Sequence, residues 1–365
     1  MVVPVDRLSS LLERFSVRAH LFHNGPLCGV THFDAQPGRA FLHVLRRGEM
    51  IVKHRPKAGP PRRVVVSEPS LVFYPRPLSH DFHNAPAEGS DFTCASLEFD
   101  GGVSHPLARA LPPMVLVALH RVEGLDQSLA LLFAETDRVR CGHRLLADRL
   151  FEVVLLQLLR WLLDHPEEGG VPVGLLAGLA DPRLAQALVA MHEDPAKPWS
   201  LEGMARTAGM SRSAFAAKFK GTVGETPADY LANWRLSVAK IELRNGRSIK
   251  SLASALGYAT PSALSRVFAH KLGVSPRRWL AESSSAEEAR SPSPGSMAHL
   301  DGSASSRNVS STRRTGAALA SGKKSAQIGS GVPRPSQFST RLGVRDGQKH
   351  LPDKVHTPAE QRMVE

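Results

Sequence analysis

Cysteine is scarce in this 365-residue chain: only Cys28, Cys94 and Cys141 are present. Three thiols cannot build the disulfide framework of a small secreted domain. Long apolar runs are missing as well. No stretch reaches the ~18 apolar residues of a membrane-spanning helix, and the most apolar helical candidate, VVLLQLLRWLL, is interrupted by Gln157 and Arg160. The opening MVVPVDRLSSLLERF is amphipathic and charged, without the apolar core of a secretory signal, so a cytoplasmic protein is expected. Neither CxxC nor HxH occurs. No acid/base constellation stands out, which argues against an enzyme.

Acidic residues are in deficit, with 46 Lys and Arg against 34 Asp and Glu, a net charge of +12. The excess is unevenly placed. Residues 1–181 hold 19 basic and 20 acidic side chains, whereas residues 182–282 hold 15 and 7. The remaining residues, 283–365, hold 12 and 7, so the basic excess is densest in 182–282, which points to a surface that displaces counterions from nucleic-acid phosphates.

That same segment carries one pattern twice. Leu201, Ala205 and Gly209 are followed by Phe215, Phe219, Gly224 and Pro227; Ile249, Ala253 and Gly257 are followed by Leu264, Phe268, Gly273 and Pro276. Recurrence of fixed spacings after about 48 residues marks two copies of one supersecondary unit. Apolar residues four apart share a helix face, a small Ala lets a second helix cross closely, and the Gly permits a sharp exit turn. The unit therefore reads as a helix-turn-helix. Ser211 and Thr260 are the expected N-caps of the second helices, with Pro261 in the first turn. Phe215 and Phe219, then Leu264 and Phe268, are the expected buried rungs. Residues 228–244 can form a single connecting helix of about 25 Å, a spacer able to hold the two outward helices about one DNA turn, roughly 34 Å, apart.

Trp199-Ser-Leu-Glu, Gly209-Met-Ser-Arg-Ser, Tyr230-Leu-x2-Trp-Arg235, Gly257-Tyr258 and Gly273-Val-Ser-Pro276 together resemble the DNA-binding domain of the AraC-type transcriptional regulators, from about Asp181 to Glu282. The resemblance implies a sequence-specific regulator that binds double-stranded DNA, with RNA polymerase and a second copy of the chain as further partners. Carried over position by position, the base-facing residues are Ser213, Ala216 and Ala217 in the first unit and Ser262, Ala263 and Arg266 in the second. Arg212, Lys218 and Lys220 are expected to grip phosphates. Arg266 should dominate direct readout, because arginine can form two hydrogen bonds to guanine whereas alanine can only touch a thymine methyl.

Upstream the texture differs. Residues 5–21 read as a short helix with Leu8, Leu11, Leu12 and Phe15 on one face. PLCGVTHFD, AFLHVLRRGEMIVKH, RRVVVSEPSLVFYPR and DFTCASLEFD then read as strands, with Gly48 at a hairpin turn. Short strands at regular spacing predict a small barrel or jelly roll. This region resembles a cupin-like domain, most clearly at Pro75-x-Pro77-x2-His80-x3-Asn84, where the family has Gly in place of Pro77. The second His of the family's first motif is replaced by Leu45 after His43, and Glu49 stands near the family's carboxylate. Cys28, His43, His80 and Cys94 form a candidate metal or redox set: zinc or copper would suit two thiolates and two imidazoles, and two cysteines could form a reversible disulfide. Plain packing, or an organic effector held in the barrel mouth, are the other readings of these residues.

Helical spacing follows from Leu125 and again over 144–163, with Leu146, Leu150, Val153, Val154, Gln157, Leu158 and Trp161 on one expected face, which either covers the barrel or mediates dimerisation. The expected fold class is α+β. Residues 1–168 are expected to form the cupin-like sensory or dimerisation domain, 176–282 the double helix-turn-helix, and 283–365, rich in Ser, Gly and Arg, a disordered basic tail.

Overall fold

A computed structural model of the chain describes residues 4–56 and 58–288. A four-residue helix α1 (Ser9–Leu12) leads into strands β1 (Val17–Leu27), β2 (Val30–Phe33), β3 (Arg39–Arg47), β4 (Met50–His54), β5 (Arg63–Val66), β6 (Ser70–Tyr74), β7 (His80–His83) and β8 (Ser90–Phe99). Helix α2 (Pro106–Ala110) and β9 (Val115–Ala118) follow, then α3 (Leu125–Thr136) and α4 (His143–Asp164). The remainder is helical: α5 (Leu175–Ala180), α6 (Pro182–Glu193), α7 (Leu201–Thr207), α8 (Arg212–Val223), α9 (Pro227–Arg244), α10 (Ile249–Ala255), α11 (Pro261–Leu272) and α12 (Pro276–Glu288). None of the described helices is long and apolar enough to cross a membrane.

The strands form two antiparallel sheets, ordered β1-β8-β3-β6-β9 and β2-β7-β4-β5. Strand alternation sorts their side chains into two cores. Phe41 and Leu45 of β3 join Val72, Phe82, Phe92 and Cys94 between the sheets. Leu42 and Val44 face the other way, into a core shared with the helices. Because both faces of β3 are covered, six consecutive residues, Ala40–Leu45, are buried. Helix α4 lies on the edge strand β1, and two of its carboxylates occupy that edge: Leu21 N–H donates to Asp148 at 2.6 Å and Ala19 N–H to Glu152 at 3.3 Å. An edge so covered cannot template pairing with another strand.

Four expectations change at this level. The helix expected over 5–21 stops at Leu12, because the segment from Val17 is recruited into the sheet opposite β8. Gly48 does turn the chain, at φ +94°, but β3 and β4 do not pair. The turn carries the chain from one sheet to the other, and a Cβ on Gly48 would meet Ser90 Oγ at 2.7 Å. In α4 the buried arc runs through Ala147, Phe151, Val154, Leu155, Leu158 and Leu162. Leu146 and Val153, expected inside, are 49% and 40% exposed, since the arc facing the sheet is rotated from the one the apolar spacing suggested. Helix α12 continues to Glu288, past the expected start of the tail, and the rest of that tail lies outside the described residues.

The helix-rich core is continuous from the cupin-like half into the helix-turn-helix half. Phe15 lies with its ring centroid 5.1 Å from Trp234 and 5.6 Å from His105, and Arg14 donates to the Glu193 carbonyl at 3.2 Å. His192 stacks on Trp234 at 3.7 Å and shares a 2.5 Å hydrogen bond with the Tyr230 hydroxyl. Burial holds the His192 imidazole down at about 3 and those of His80 and His105 at about 4. All three are thus neutral in the folded protein at any pH at which the unfolded chain, titrating near 6.5, begins to take up protons. The unfolded state binds more protons as pH falls below about 6.5, so stability should drop by roughly 1.4 kcal/mol per pH unit for each such histidine. Urea unfolding of the full chain is expected to show a midpoint that falls steadily from pH 6.5 to pH 4.5; a flat midpoint over that range would mean these imidazoles are not held neutral.

Candidate nucleic-acid interface

Each helix-turn-helix is built from local chemistry that the repeat makes visible. Ser200 and Ser248 cap the first helices, accepting from Gly203 N–H at 3.0 Å and Ser251 N–H at 3.2 Å. Ser211 and Thr260 cap the second helices, accepting from Ala214 N–H at 3.3 Å and Ala263 N–H at 3.1 Å. Each of these bonds satisfies an N–H that the helix itself leaves unpaired. The turns between them differ by one residue: the offset is 48 as far as Gly257 and 49 from Thr260 onward.

Phe215, Phe219, Leu264 and Phe268 are fully buried. Their helices therefore present the opposite faces to solvent. Arg212, Ser213, Ala217, Lys218, Lys220, Ser262 and Arg266 are exposed, while Ala216 and Ala263 are half-buried. Arg266 makes no hydrogen bond or ion pair among the described residues, so its guanidinium is uncommitted. Lys218 differs, because its ammonium pairs with Asp181 at 2.5 Å, the carboxylate that also caps α6. Part of its charge is thus neutralised by the protein itself.

The connecting helix α9 holds the two units in register. It has 18 residues and a length of about 27 Å. At its first turn Thr226 caps Asp229 N–H, and the Thr226 hydroxyl donates back to the Asp229 carboxylate at 2.7 Å. Midway, Arg235 donates to the Pro195 carbonyl at 2.7 Å and the Lys197 carbonyl at 3.2 Å, and its guanidinium lies 5.4 Å from the Tyr258 ring. Gly257 lets this meeting happen: at φ +73°, a Cβ there would fall 2.4 Å from the Ala196 carbonyl oxygen. The diagnostic Trp-Arg and Gly-Tyr pairs thus fix the frame on which the two reading faces are mounted.

The structure brings together only part of the second candidate set. His43 and His80 are buried with their Nε2 atoms 3.0 Å apart. His80 Nδ1–H donates to the Leu78 carbonyl at 2.9 Å, so its Nε2 is the acceptor and His43 Nε2–H the donor. His43 Nδ1 is left without a partner among the described residues. Cys94 stands opposite His43 in the β3–β8 register and is fully buried, which pushes its thiol up and keeps it protonated. Cys28 is elsewhere: it is exposed beside Gly89, about 17 Å along β8 from Cys94 at the strand rise per residue. A Cys28–Cys94 disulfide would need Cα atoms within about 7 Å, so this arrangement does not allow it.

His54 and Tyr74, which sequence spacing alone did not single out, complete the buried polar cluster. Tyr74 O–H donates to His54 Nε2 at 2.8 Å, and His54 Nδ1–H donates to the Pro61 carbonyl at 2.6 Å. The alternation Met50, Val52, His54 along β4 was the signal that points His54 inward. These residues do not fit the metal site that a cupin implies. Among the described residues no three His, Cys, Asp or Glu side chains come together as ligands. Leu45 fills the second-histidine position within the apolar core, and Glu49 is exposed.

Comparison with known proteins agrees with this architecture. The cupin family matches residues 6–164 and the helix-turn-helix domain family residues 204–282. An AraC-like transcription regulator of Streptomyces lividans is 38% identical over 169 residues, covering 46% of this chain and 55% of the relative. A second, of Streptomyces antibioticus, is 30% identical over 300 residues, covering 74% of this chain and 97% of the relative. The chain spans about half the length of the first of these and nearly all of the second. Among solved structures, the DNA-binding domain of the global transcriptional factor AdpA in complex with a target DNA is 25% identical, with a TM-score of 0.27, covering 28% of this chain and 95% of that one. With a cupin-like half joined to a repeated helix-turn-helix, and a relative matched over nearly its whole length, the chain belongs to the AraC-like transcription regulators, which bind DNA.

Proposed function

We propose that this regulator reads its operator unequally with its two recognition helices. Arg266 supplies the main direct base contact from α11, with Ser262 and Ala263 beside it. Helix α8 offers Ser213, Ala216 and Ala217, small side chains that reach at most a thymine methyl or a single acceptor, and so discriminates less. Arg212 and Lys220 anchor phosphates and set affinity rather than sequence. Lys218 contributes less than these two, because its charge is already shared with Asp181. The observation that carries this reading is the exposed, uncommitted Arg266 two residues from the fully buried Leu264, on a helix whose cap and rungs match those of its duplicate.

Control by an organic effector is the regulatory reading favoured here. Among the described residues no three metal-ligating side chains come together, and Cys28 and Cys94 lie apart along β8, which supports this reading over a metal or a disulfide. The protein acts in the cytoplasm on double-stranded DNA, binds without catalysing a reaction, and influences transcription through contact with RNA polymerase.

A homodimer is the expected active form. Leu145, Leu146, Val153 and Leu156 are 66%, 49%, 40% and 38% exposed, and together with Arg149 and Arg160 they make one continuous face of α4. Apolar residues gathered on one exposed face of a long helix mark an interaction surface rather than scattered surface leucines. Sedimentation equilibrium of the full chain is expected to give a dimer at micromolar concentration and a monomer for Leu145→Glu with Leu156→Glu; an unchanged mass in the double variant would place any interface elsewhere.

For the DNA-reading half, Arg266→Ala should flatten preference at one base position, losing about 1–3 kcal/mol of discrimination there. Lys220→Ala should weaken all sites alike and lower the salt slope by about one. Binding to every single-base variant of a selected site, at several salt concentrations, measures both. A uniform loss with unchanged preference in Arg266→Ala would reduce Arg266 to a phosphate contact.

A further inference from the structure

One surface of the cupin-like half carries charge that the two reading units do not account for. Between Glu49 and Glu68 the sequence holds five Lys or Arg and no Asp or Glu, whereas the rest of residues 1–181 holds 14 basic and 20 acidic side chains. Lys53, Arg55, Arg62 and Arg63 of this stretch are exposed on β4, β5 and the loop joining them. Elsewhere in this half the cations are mostly committed: Arg7, Arg46 and Arg121 pair with Asp164, Asp137 and Glu168. None of the four hairpin side chains makes a hydrogen bond or ion pair among the described residues.

These cations are crowded as well as free. Lys53 and Arg63 stand directly opposite each other in the β4–β5 ladder. Like charges so placed repel, and an anion laid across them relieves the repulsion. Asp81, the neighbour of Lys53 on β7, is bound by His32 instead. The loop that carries Arg55 and Arg62 is fixed from beneath. His54 N–H donates to the Arg62 carbonyl at 3.0 Å, its ring holds the Pro61 carbonyl at 2.6 Å, and Tyr74 holds the far side of the ring at 2.8 Å. Pro60 is buried. The His54–Tyr74 pair thus sets an arginine-bearing loop in place beforehand, which removes the entropy cost of ordering it on binding.

The hairpin also lies at a particular end of the cupin-like half. Gly59, at φ +106°, passes so close to Pro113 that a Cβ would come 3.2 Å from the proline Cβ. Pro113 follows Arg109 by at most about 14 Å of chain, and Arg109 lines the same cleft as Lys271 and Leu272 at the end of α11. That end abuts the second helix-turn-helix unit.

We propose that the β4–β5 hairpin is a second DNA contact, gripping backbone phosphates in the duplex that flanks the sequence read by α8 and α11. Four cations on one fixed hairpin fit the repeated phosphates of a duplex, and such contacts set affinity and placement, not sequence. DNA is the polyanion that this family binds, and the hairpin stands beside a unit that binds it.

Fluorescence anisotropy of the full chain over a range of salt concentrations tests the contact. One duplex is trimmed to the selected operator, and another carries about 15 further base pairs of random sequence on each side. The longer duplex is expected to bind several-fold more tightly at low salt. Arg55→Gln with Arg62→Gln should abolish that gain and lower the log–log salt slope on the longer duplex by about two. The same variant should bind the trimmed duplex with wild-type affinity and base preference, which separates this contact from the recognition-helix reading. Arg18→Gln with Arg138→Gln removes the same charge from other exposed positions and should leave the gain intact. Equal affinity of the wild type for the two duplexes, or loss of the gain in both double variants, would overturn the proposal. So would capture by phosphatidylglycerol vesicles that needs Arg55 and Arg62 without any flank effect, which would make the hairpin a membrane contact.

Discussion

The contact of Arg235 with the loop before α7 is the constraint on which the DNA-binding half depends. One guanidinium joins the Pro195 and Lys197 carbonyls to the middle of α9 and stacks toward Tyr258, which begins the longer turn of the second unit. A helix joining two repeats could pivot about its ends. Here its centre is tied to the first unit's approach and the second unit's turn at once. Lysine could not replace it, since the site uses a planar fork with donors in two directions. The close passage of Gly257 past Ala196 shows how tightly this junction is drawn.

The same helix faces the other half of the protein. Tyr230 and Trp234 turn toward His192, Phe15 and, through Phe15, His105, so the rod that aligns the reading heads is also part of the interdomain core. Buried polar groups in that layer are only partly satisfied: among the described residues, His192 Nδ1 and Trp234 Nε1 have no partner. Unsatisfied buried groups lower the stability of the contact they sit in.

Much of the helical half was legible because its determinants are local. Ser211, Thr260, Pro261 and the rungs Phe215, Phe219, Leu264 and Phe268 act within one or two turns of their own helix, and spacing alone locates them. The cupin-like half was legible as the short strands of a small barrel or jelly roll, but which strands pair was not. Gly48 marks a turn in either case, and whether β3 and β4 pair or part company is decided by β6, β7 and β8, distant in sequence. The short first helix was over-read for the same reason: Ala19, four residues after Phe15, continues the expected helical face as well as it fits a strand edge, and only β8 and α4 choose between them. Cys28 illustrates the limit for sites. Its distance from Cys94 follows from strand register, which a one-residue slip would change and which no local spacing reveals.

Hydroxyl-radical footprinting of the full chain on a sequence selected from a random pool bears most directly on the central claim, that one rigid α9 aims two reading faces at the same duplex. Two protected blocks centred about 10 base pairs apart on one face of the DNA are expected for each chain bound. A single protected block per chain, or two blocks whose separation varies freely from site to site, would contradict it.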